Sequence, residues 1–287
     1  MLFAGIDVGQ SGTTAAVGDG TRVLGRGRGP AGDEVGADAS STRLVDAMHA
    51  ALDDALRDSG LSRDSRFDAV VAGISGYEGQ VAGVPPQLPS ARVELMHDAP
   101  IAHAAALRGE PGIVVIAGTG SAAFTRARDG RAATFGGWGY LFGDEGSAFW
   151  IARRAFESAV LCADGCAARI AAYFGQRSLR DVARAFYTGA ISRERFASLA
   201  RECIDAPAGA CMRDAVSDAV HELALLARHA ALDPFDATAL AFTGGLMRSP
   251  SFARRVHENA RTALPGCTIV ESDADPADGA LLLASRL

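Results

Sequence analysis

Asp7, Asp98 and Asp144 each stand beside glycine, small or hydroxyl residues, and that pairing is the chemically informative pattern of the chain. Asp7 ends an apolar run and leads into Gly9-Gln10-Ser11-Gly12-Thr13-Thr14; a second turn of the same kind is Gly118-Thr119-Gly120-Ser121. Such turns offer backbone N–H groups and hydroxyls to phosphate oxygens. The longest glycine-rich stretch, Gly136 to Ser147, holds Trp138, Tyr140 and Phe142 as well as Asp144 and Glu145. A helical pattern begins at Ala148, so these acids and Ser147 fall at a helix start, where free N–H groups and the dipole suit anions. Asp144 and Glu145 are read as hydroxyl ligands or helix caps. Asp98 closes a strand and precedes a helix, a place that suits either a general base or an N-cap. His97 and His103 flank it and read as structural. The first turn lacks the Gly-Lys-Ser/Thr of a Walker loop, and a hairpin rather than a helix follows it, so it is not a dinucleotide fingerprint.

The elements that must hold these residues are legible from apolar spacing. Leu2 to Asp7, Ala15 to Val17 and Arg22 to Gly25 predict three strands joined by turns. Ser40 to Asp58 predicts a helix, capped by Ser41 and ended by Gly60. Strands at Phe67 to Ile74 and Val93 to Met96 follow, then a helix over Ile101 to Leu107. Asp7, Ser75 and Asp98 thus stand at strand ends, where ligands gather in sheets with parallel strands. Gly112 to Phe135 repeats the strand-turn-strand-turn-strand layout of the first thirty residues, which predicts two similar halves. Ala148 to Leu232 is nearly all helical, with segments at Arg169 to Phe174, Leu179 to Phe186, Arg193 to Cys203 and Met212 to Leu232. A strand from Thr238 to Thr243 ends in Gly244-Gly245, Met247 opens another helix, and a strand from Cys267 to Val270 and a helix from Asp278 to Arg286 close the chain.

Bulk properties exclude several classes. The 287 residues suggest two domains, and a net charge of −6 gives no nucleic-acid footprint. All 28 basic residues are arginine, which excludes mechanisms needing a lysine. Neither a signal-peptide pattern nor an apolar run of roughly 18 residues is present, so the expectation is a cytoplasmic protein without membrane contact. Cys162, Cys166, Cys203, Cys211 and Cys267, without a CxxC pair, read as buried reduced thiols.

Taken in order, the motifs resemble a known family. These are Asp7-x-Gly9-x-Ser11-Gly12-Thr13-Thr14, then Asp98-Ala99, then Gly118-Thr119-Gly120-Ser121, then Gly136-Gly137-Trp138-Gly139 through Gly143-Asp144-Glu145-Gly146-Ser147 to Trp150-Ile151, then Thr243-Gly244-Gly245. The chain resembles the N-acetylglucosamine kinases of the BadF/BadG/BcrA/BcrD-type ATPase group, within the actin-like, sugar-kinase and Hsp70 superfamily. The Gly136 to Ile151 block is the specific part. The resemblance implies an α/β fold of two actin-like ATPase (ribonuclease H-like) domains, each a mixed β-sheet flanked by helices, with a cleft between them. The first would span residues 1–109, completed by helix 276–287, and the second residues 110–275 with helical insertions.

The same resemblance implies ATP-dependent phosphorylation of an amino sugar, N-acetylglucosamine to its 6-phosphate, by a homodimer. Asp7 would hold Mg²⁺, usually through water. Gly9, Ser11, Gly12 and Thr13 would form the first phosphate turn and Thr119, Gly120 and Ser121 the second. Gly244 and Gly245 would lie against adenosine, Asp98 would be the catalytic base, and Ser75, Asp98, Gly118, Gly137, Asp144 and Ala148 would contact the sugar. Two positions depart from the family, which commonly has Asn in the loop after the third strand and again after Gly-Thr-Gly-Ser. Here the loop from Gly29 to Ala37 has Asp33 and Glu34, and the second position is Ala122. An acidic loop would attract a free amine, so glucosamine is an alternative acceptor; N-acetylmuramic acid is another, against which the loop weighs by repelling its lactyl carboxylate. A reading of another class is an activator ATPase of a 2-hydroxyacyl-CoA dehydratase, which would need cysteines for an iron–sulfur cluster.

Overall fold

The computed structural model describes residues 1–32, 37–161, 165–232 and 238–287. They form two compact units, Met1–Pro111 with Val270–Leu287, and Gly112–Ile269. Each is organised on a five-stranded sheet.

In the first unit, β1 (Phe3–Val8), β2 (Thr13–Gly18), β3 (Val23–Gly29), β4 (Ala69–Ile74) and β5 (Val93–His97) lie in the order β3-β2-β1-β4-β5. β1 to β3 are antiparallel, while β4 runs parallel to β1 and β5 parallel to β4. A strand with both faces covered can be apolar throughout, and β4, Ala-Val-Val-Ala-Gly-Ile, is buried at every position. Alternate residues serve different cores. Ile6, Val8, Val70 and Ala72 pack with Leu44, Met48 and Leu56 of α1 (Arg43–Ser59), whereas Phe3, Ala69 and Val71 pack with Ala277, Ala280 and Leu281 of α10 (Pro276–Ala284). The C-terminal helix therefore completes the sheet begun at the N-terminus. α2 (Asp98–Leu107) follows β5 directly.

The second unit repeats the plan. β6 (Gly112–Ala117), β7 (Ser121–Arg126), β8 (Ala132–Gly136), β9 (Ala239–Thr243) and β10 (Thr268–Val270) lie in the order β10-β9-β6-β7-β8, with β6 to β8 antiparallel and β9 parallel to β6. Between β8 and β9 come α3 (Ala148–Leu161), α4 (Cys166–Tyr173), α5 (Leu179–Tyr187), α6 (Arg193–Ala197), α7 (Leu199–Asp205) and α8 (Ala210–Leu232); α9 (Pro250–Ala263) follows β9. Phe149, Phe174, Phe186 and Phe196 cluster with ring centroids 5.1–5.8 Å apart, which knits α3, α5 and α6 into one core. The mixed sheets and flanking helices are those expected from the motif order. Among the described residues no helix is long and apolar enough to cross a membrane.

Four local expectations are corrected. Thr42 rather than Ser41 occupies the N-cap of α1, and its hydroxyl donates to Asp46 at 2.8 Å instead of capping an amide. The segment predicted as one helix from Arg193 to Cys203 is two, α6 and α7, meeting at Ser198. α10 begins at Pro276 because Asp275 is its cap. Cys166 and Cys211 are not reduced thiols: packing of α4 on α8 joins them in a disulfide across 45 residues of sequence. Cys203 keeps the expected state, a buried thiol pushed up to about 12 by burial first and the Glu202 charge second. Cys162 lies outside the described residues.

The contact of α10 with its neighbours depends on glycine. A Cβ on Gly279 would meet the Ile101 carbonyl oxygen at 2.0 Å and the Ala105 nitrogen at 2.5 Å. Backbone on two sides cannot rotate away, so Gly279→Ala is expected to destabilise the protein by about 3 kcal/mol, the upper part of the usual overpacking range. A urea midpoint equal to that of the wild type would contradict this packing.

Candidate active site

The first unit gathers three carboxylates. In the β1–β4–β5 register, Asp7 pairs with Gly73 and Ile74 with His97, so Asp7, Ser75 and Asp98 stand at the carboxyl ends of three adjacent parallel strands. Ser75 is tied in by its amide, which donates to the Val8 carbonyl at 2.9 Å. Asp275, unforeseen in sequence, joins them: Thr14 Oγ1 donates to its Oδ1 at 2.8 Å, and the same oxygen accepts from Ala277 N at 3.0 Å. The sequence signal that could have found it is Asp275-Pro276 ahead of an apolar helix, an N-cap followed by Pro at N1. Burial, then the charges of Asp98 and Asp275, raise Asp7 from 3.8 to about 8.

The turn after β1 is closed by Gly9 N donating to Gly12 O at 3.0 Å. Thr13 is buried and donates to the Pro30 carbonyl at 2.7 Å, which positions the turn but occupies the hydroxyl proton. Gln10 Oε1 is buried without a partner; turned over, the same amide presents a buried N–H donor within this turn. These residues fit an anion held chiefly by backbone donors. Asp33 and Glu34, the acids of the predicted sugar loop, lie outside the described residues.

α2 begins at Asp98 itself, so the N-cap is His97 and the capping alternative for Asp98 is removed. His97 Nδ1 lies 2.8 Å from Asp98 Oδ1 and 3.2 Å from Ala99 N. One nitrogen cannot donate to the carboxylate and accept from the amide at once, so the contact in force follows whether Nδ1 carries a proton. The hydrogen bond to Asp98 is the main cause that raises His97 above 6.5, with the Asp98 and Glu78 charges adding and burial opposing. His97, expected to be structural, is thus the side chain that orients the candidate base. His103 is buried in α2, as a structural histidine would be.

The second unit holds the other set. Gly118 N donates to Gly120 O at 2.9 Å, closing the turn between β6 and β7. The start of α3 is fastened to this turn: Ala148 N donates to Gly118 O at 2.9 Å and Phe149 N to Thr119 O at 3.3 Å. Gly137 N donates to Ser121 O at 3.1 Å, and Ser121 Oγ to Glu145 O at 2.7 Å. Ser147 caps the helix by accepting from Trp150 N at 3.2 Å. Asp144 adopts φ 61°, and its side chain turns back to accept from Ser121 N at 3.2 Å. A Cβ on Gly120 would come within 2.7 Å of Asp144 Oδ2, so that position must be glycine for the carboxylate to sit there. Gly244 and Gly245 follow β9, whose Thr243 pairs with Ile116, and therefore stand beside the same turn; no atom lies within 4 Å of where a Gly245 Cβ would be. Ala122 underlies Gly137, at 3.4 Å from the place of its Cβ. Trp138, Leu141 and Phe142 are exposed.

The predicted sugar contacts are thereby divided: Ser75 and Asp98 belong to the first unit, and Gly118, Gly137, Asp144 and Ala148 to the second. Thr119, Gly120 and Ser121 are brought together with Gly244 and Gly245, as are Asp7, Gly9, Ser11, Gly12 and Thr13 in the other unit. Sequence reading missed Arg193, which donates from Nη2 to Asp144 Oδ2 at 2.9 Å. No local signal marks it, because its partner lies 49 residues away.

The His97 geometry has a direct check. A histidine raised by its partner contributes stability that is complete below 6.5 and is lost as pH rises through the folded midpoint. The imidazole of His97, followed by NMR, is expected to titrate above 6.5, and Asp98→Asn to return it towards that value. An unchanged midpoint in the variant would remove Asp98 as the cause.

A profile of the BadF/BadG/BcrA/BcrD ATPase family matches residues 4–284. An N-acetylmuramic acid/N-acetylglucosamine kinase from Clostridium acetobutylicum is 33% identical over 116 residues, 38% of each chain, so the match spans well under half of that relative. A solved structure of a candidate N-acetylglucosamine kinase from Chromobacterium violaceum superposes with a TM-score of 0.77 at 24% identity, covering 99% of this chain and 98% of that one. Another from Porphyromonas gingivalis gives 0.72 at 19% identity, covering 100% and 99%. At these identities the likeness to the solved structures is one of fold.

Proposed function

We propose that this chain, which belongs to the BadF/BadG/BcrA/BcrD ATPase family, is an ATP-dependent sugar kinase whose acceptor is N-acetylglucosamine, phosphorylated on its 6-hydroxyl. The observation that carries the reading is the convergence of Asp7, Ser75 and Asp98 at the ends of β1, β4 and β5, with His97 holding Asp98. Phosphoryl transfer asks a protein for positioning, charge neutralisation and an acceptor for the hydroxyl proton.

Asp98 is the acceptor in this reading. One oxygen is held by His97, and Oδ2 takes the proton as the sugar oxygen forms its bond to the γ-phosphorus and the bond to ADP breaks. Ser75 binds a sugar hydroxyl beside it. Gly9, Ser11, Gly12 and Thr13, and in the other unit Thr119, Gly120 and Ser121, form the two turns that would meet the phosphate oxygens; Thr13 and Ser121 shape them through their bonds to Pro30, Asp144 and Glu145, and the remaining backbone N–H groups of the turns serve as donors. Gly245 leaves open backbone for the adenosine face, while Gly244 packs against the Ala117 backbone, where a Cβ would come within 2.5 Å of the Ala117 carbonyl oxygen. Gly118, Gly137, Asp144 and Ala148 complete the sugar contacts, Asp144 through lone pairs not used by Ser121 and Arg193.

Mg²⁺ would neutralise phosphate charge in this chemistry. Among the described residues no trio of carboxylate, imidazole or thiol groups is arranged to ligate an ion directly. Asp7, buried and with the acids Asp98 and Asp275 beside it, fits a cation held through water, which would offset the charges that raise its carboxyl.

A second acceptor, N-acetylmuramic acid, is supported alongside N-acetylglucosamine by the 33%-identical Clostridium acetobutylicum N-acetylmuramic acid/N-acetylglucosamine kinase; glucosamine is favoured by the acidic pair Asp33 and Glu34. The activator ATPase reading loses support from the Cys166–Cys211 disulfide, because an iron–sulfur cluster needs cysteines as thiolates and these two are tied to each other.

The test is ATP consumption with Mg²⁺ and a panel of N-acetylglucosamine, N-acetylmuramic acid, glucosamine, N-acetylmannosamine and glucose. N-acetylglucosamine is expected to show the highest kcat/KM, and Asp98→Asn to lower kcat by about 10²–10⁴-fold while sugar binding persists. Near-normal turnover in that variant would overturn the base assignment, and turnover of none of the sugars would overturn the kinase reading.

A further inference from the structure

Arg193 comes from α6, within the helical insertion, and has no place in the chemistry described so far. Its side chain is only 17% exposed and that of Asp144 5%. Its guanidinium carbon lies 4.9 Å from the Tyr140 ring centre and 5.9 Å from that of Phe149. Nη2 donates to Asp144 Oδ2 at 2.9 Å, while Nε is buried without a partner. The other carboxylate oxygen receives Ser121 N. Two aromatic faces thus hold a cation in one orientation, the cation holds a carboxylate, and the carboxylate holds the turn.

We propose that Arg193 is a positioning residue for the turn Gly118 to Ser121: by seating the Asp144 carboxylate against Gly120 and Ser121 it fixes the donor geometry that a phosphate would meet. This rests on the reading of that turn as a phosphate site. The helical insertion then acts on the site, through one side chain and without touching ligand. Asp144 without Arg193 would be a buried carboxylate accepting a single amide, a costly state that protonation relieves.

The charged groups facing Asp144 are Arg193 from α6 and Glu145 from its own loop. Burial is the largest effect on its carboxyl and raises it; Ser121 N–H and Arg193 oppose, and Glu145 adds to the rise. Removing Arg193 removes the opposing cation, so Asp144 takes a proton at higher pH. Loss of the guanidinium should therefore be felt most at low pH, which a change in packing alone would not produce.

The experiment measures affinity for ADP with Mg²⁺, by calorimetry between pH 6 and 9, beside thermal unfolding of each variant. Arg193→Met is expected to bind about tenfold more weakly at pH 7, the scale of a buried charge-assisted hydrogen bond, with the deficit growing as pH falls. Arg193→Lys should recover part of the affinity, since it restores the charge but not the stacking on Tyr140 and Phe149. Asp144→Asn should show a similar loss without the pH dependence, and adding Arg193→Met to it should cost nothing further. Wild-type affinity in Arg193→Met, a loss independent of pH, or losses that add in the double variant would overturn the proposal. If Arg193→Met does not fold, the near-isosteric Asp144→Asn decides: a tenfold loss upholds the clamp and unchanged affinity overturns it. Failure of the kinase reading is distinguishable, since a protein that binds ADP but phosphorylates no sugar still tests the clamp. A wild type that binds no ADP would sink both.

Discussion

A carboxylate placed among backbone turns needs a counter-charge, and the two units meet that constraint differently. In the second, Asp144 is buried against Gly120 and answered by Arg193. In the first, Asp7 has two acids near it and burial around it, so its carboxyl is raised to about 8. Desolvation penalises a lone charge severely, and the group takes a proton when no cation is supplied. One unit has its cation built in; in the other, burial and neighbouring acids raise the carboxyl instead. This asymmetry within a duplicated plan distinguishes the two units: the carboxylate of the second is paired as folded, while that of the first is raised by burial and by its acidic neighbours.

The duplication itself follows from simple constraints. In each unit the first strand of the hairpin set also pairs in parallel with a later strand, so it sits at the middle of the sheet with its turn at the carboxyl edge. The chain's last helix then closes the first unit, through the approach that Gly279 permits against Ile101. Backbone contacts of this closeness tolerate no side chain, and they tie the two ends of a 287-residue chain to one core.

Much of this was legible in sequence because it is local. Apolar runs ending in Asp7 or in Gly118 mark strand and turn within ten residues, and the two turns repeat the same residue types. Asp98 was legible as an acid at a strand end, but its partner was not: His97 is adjacent, yet only the start of α2 at Asp98 shows that the imidazole caps the helix and touches the carboxylate. Asp275 and Arg193 act across the fold, Asp275 on Thr14 across 261 residues. The Cys166–Cys211 bridge is of the same kind. Periodicity assigns residues to faces and says nothing of which faces meet.

That Arg193 is arginine has a physical basis beyond this chain's lack of lysine. A planar guanidinium can lie along the Tyr140 and Phe149 rings and still direct an N–H at Asp144. An ammonium is a strongly hydrated point charge and loses more on burial among aromatic faces. The rings are in turn held by the cluster that Phe149 forms with Phe186 and Phe196, so the position of the cation is determined by aromatic packing in the insertion. Because packed interiors are stiff, a shift in that packing would reach the turn as a shift of the Asp144 carboxylate. Helices that carry no chemistry of their own can thus determine the geometry at which a phosphate would be met.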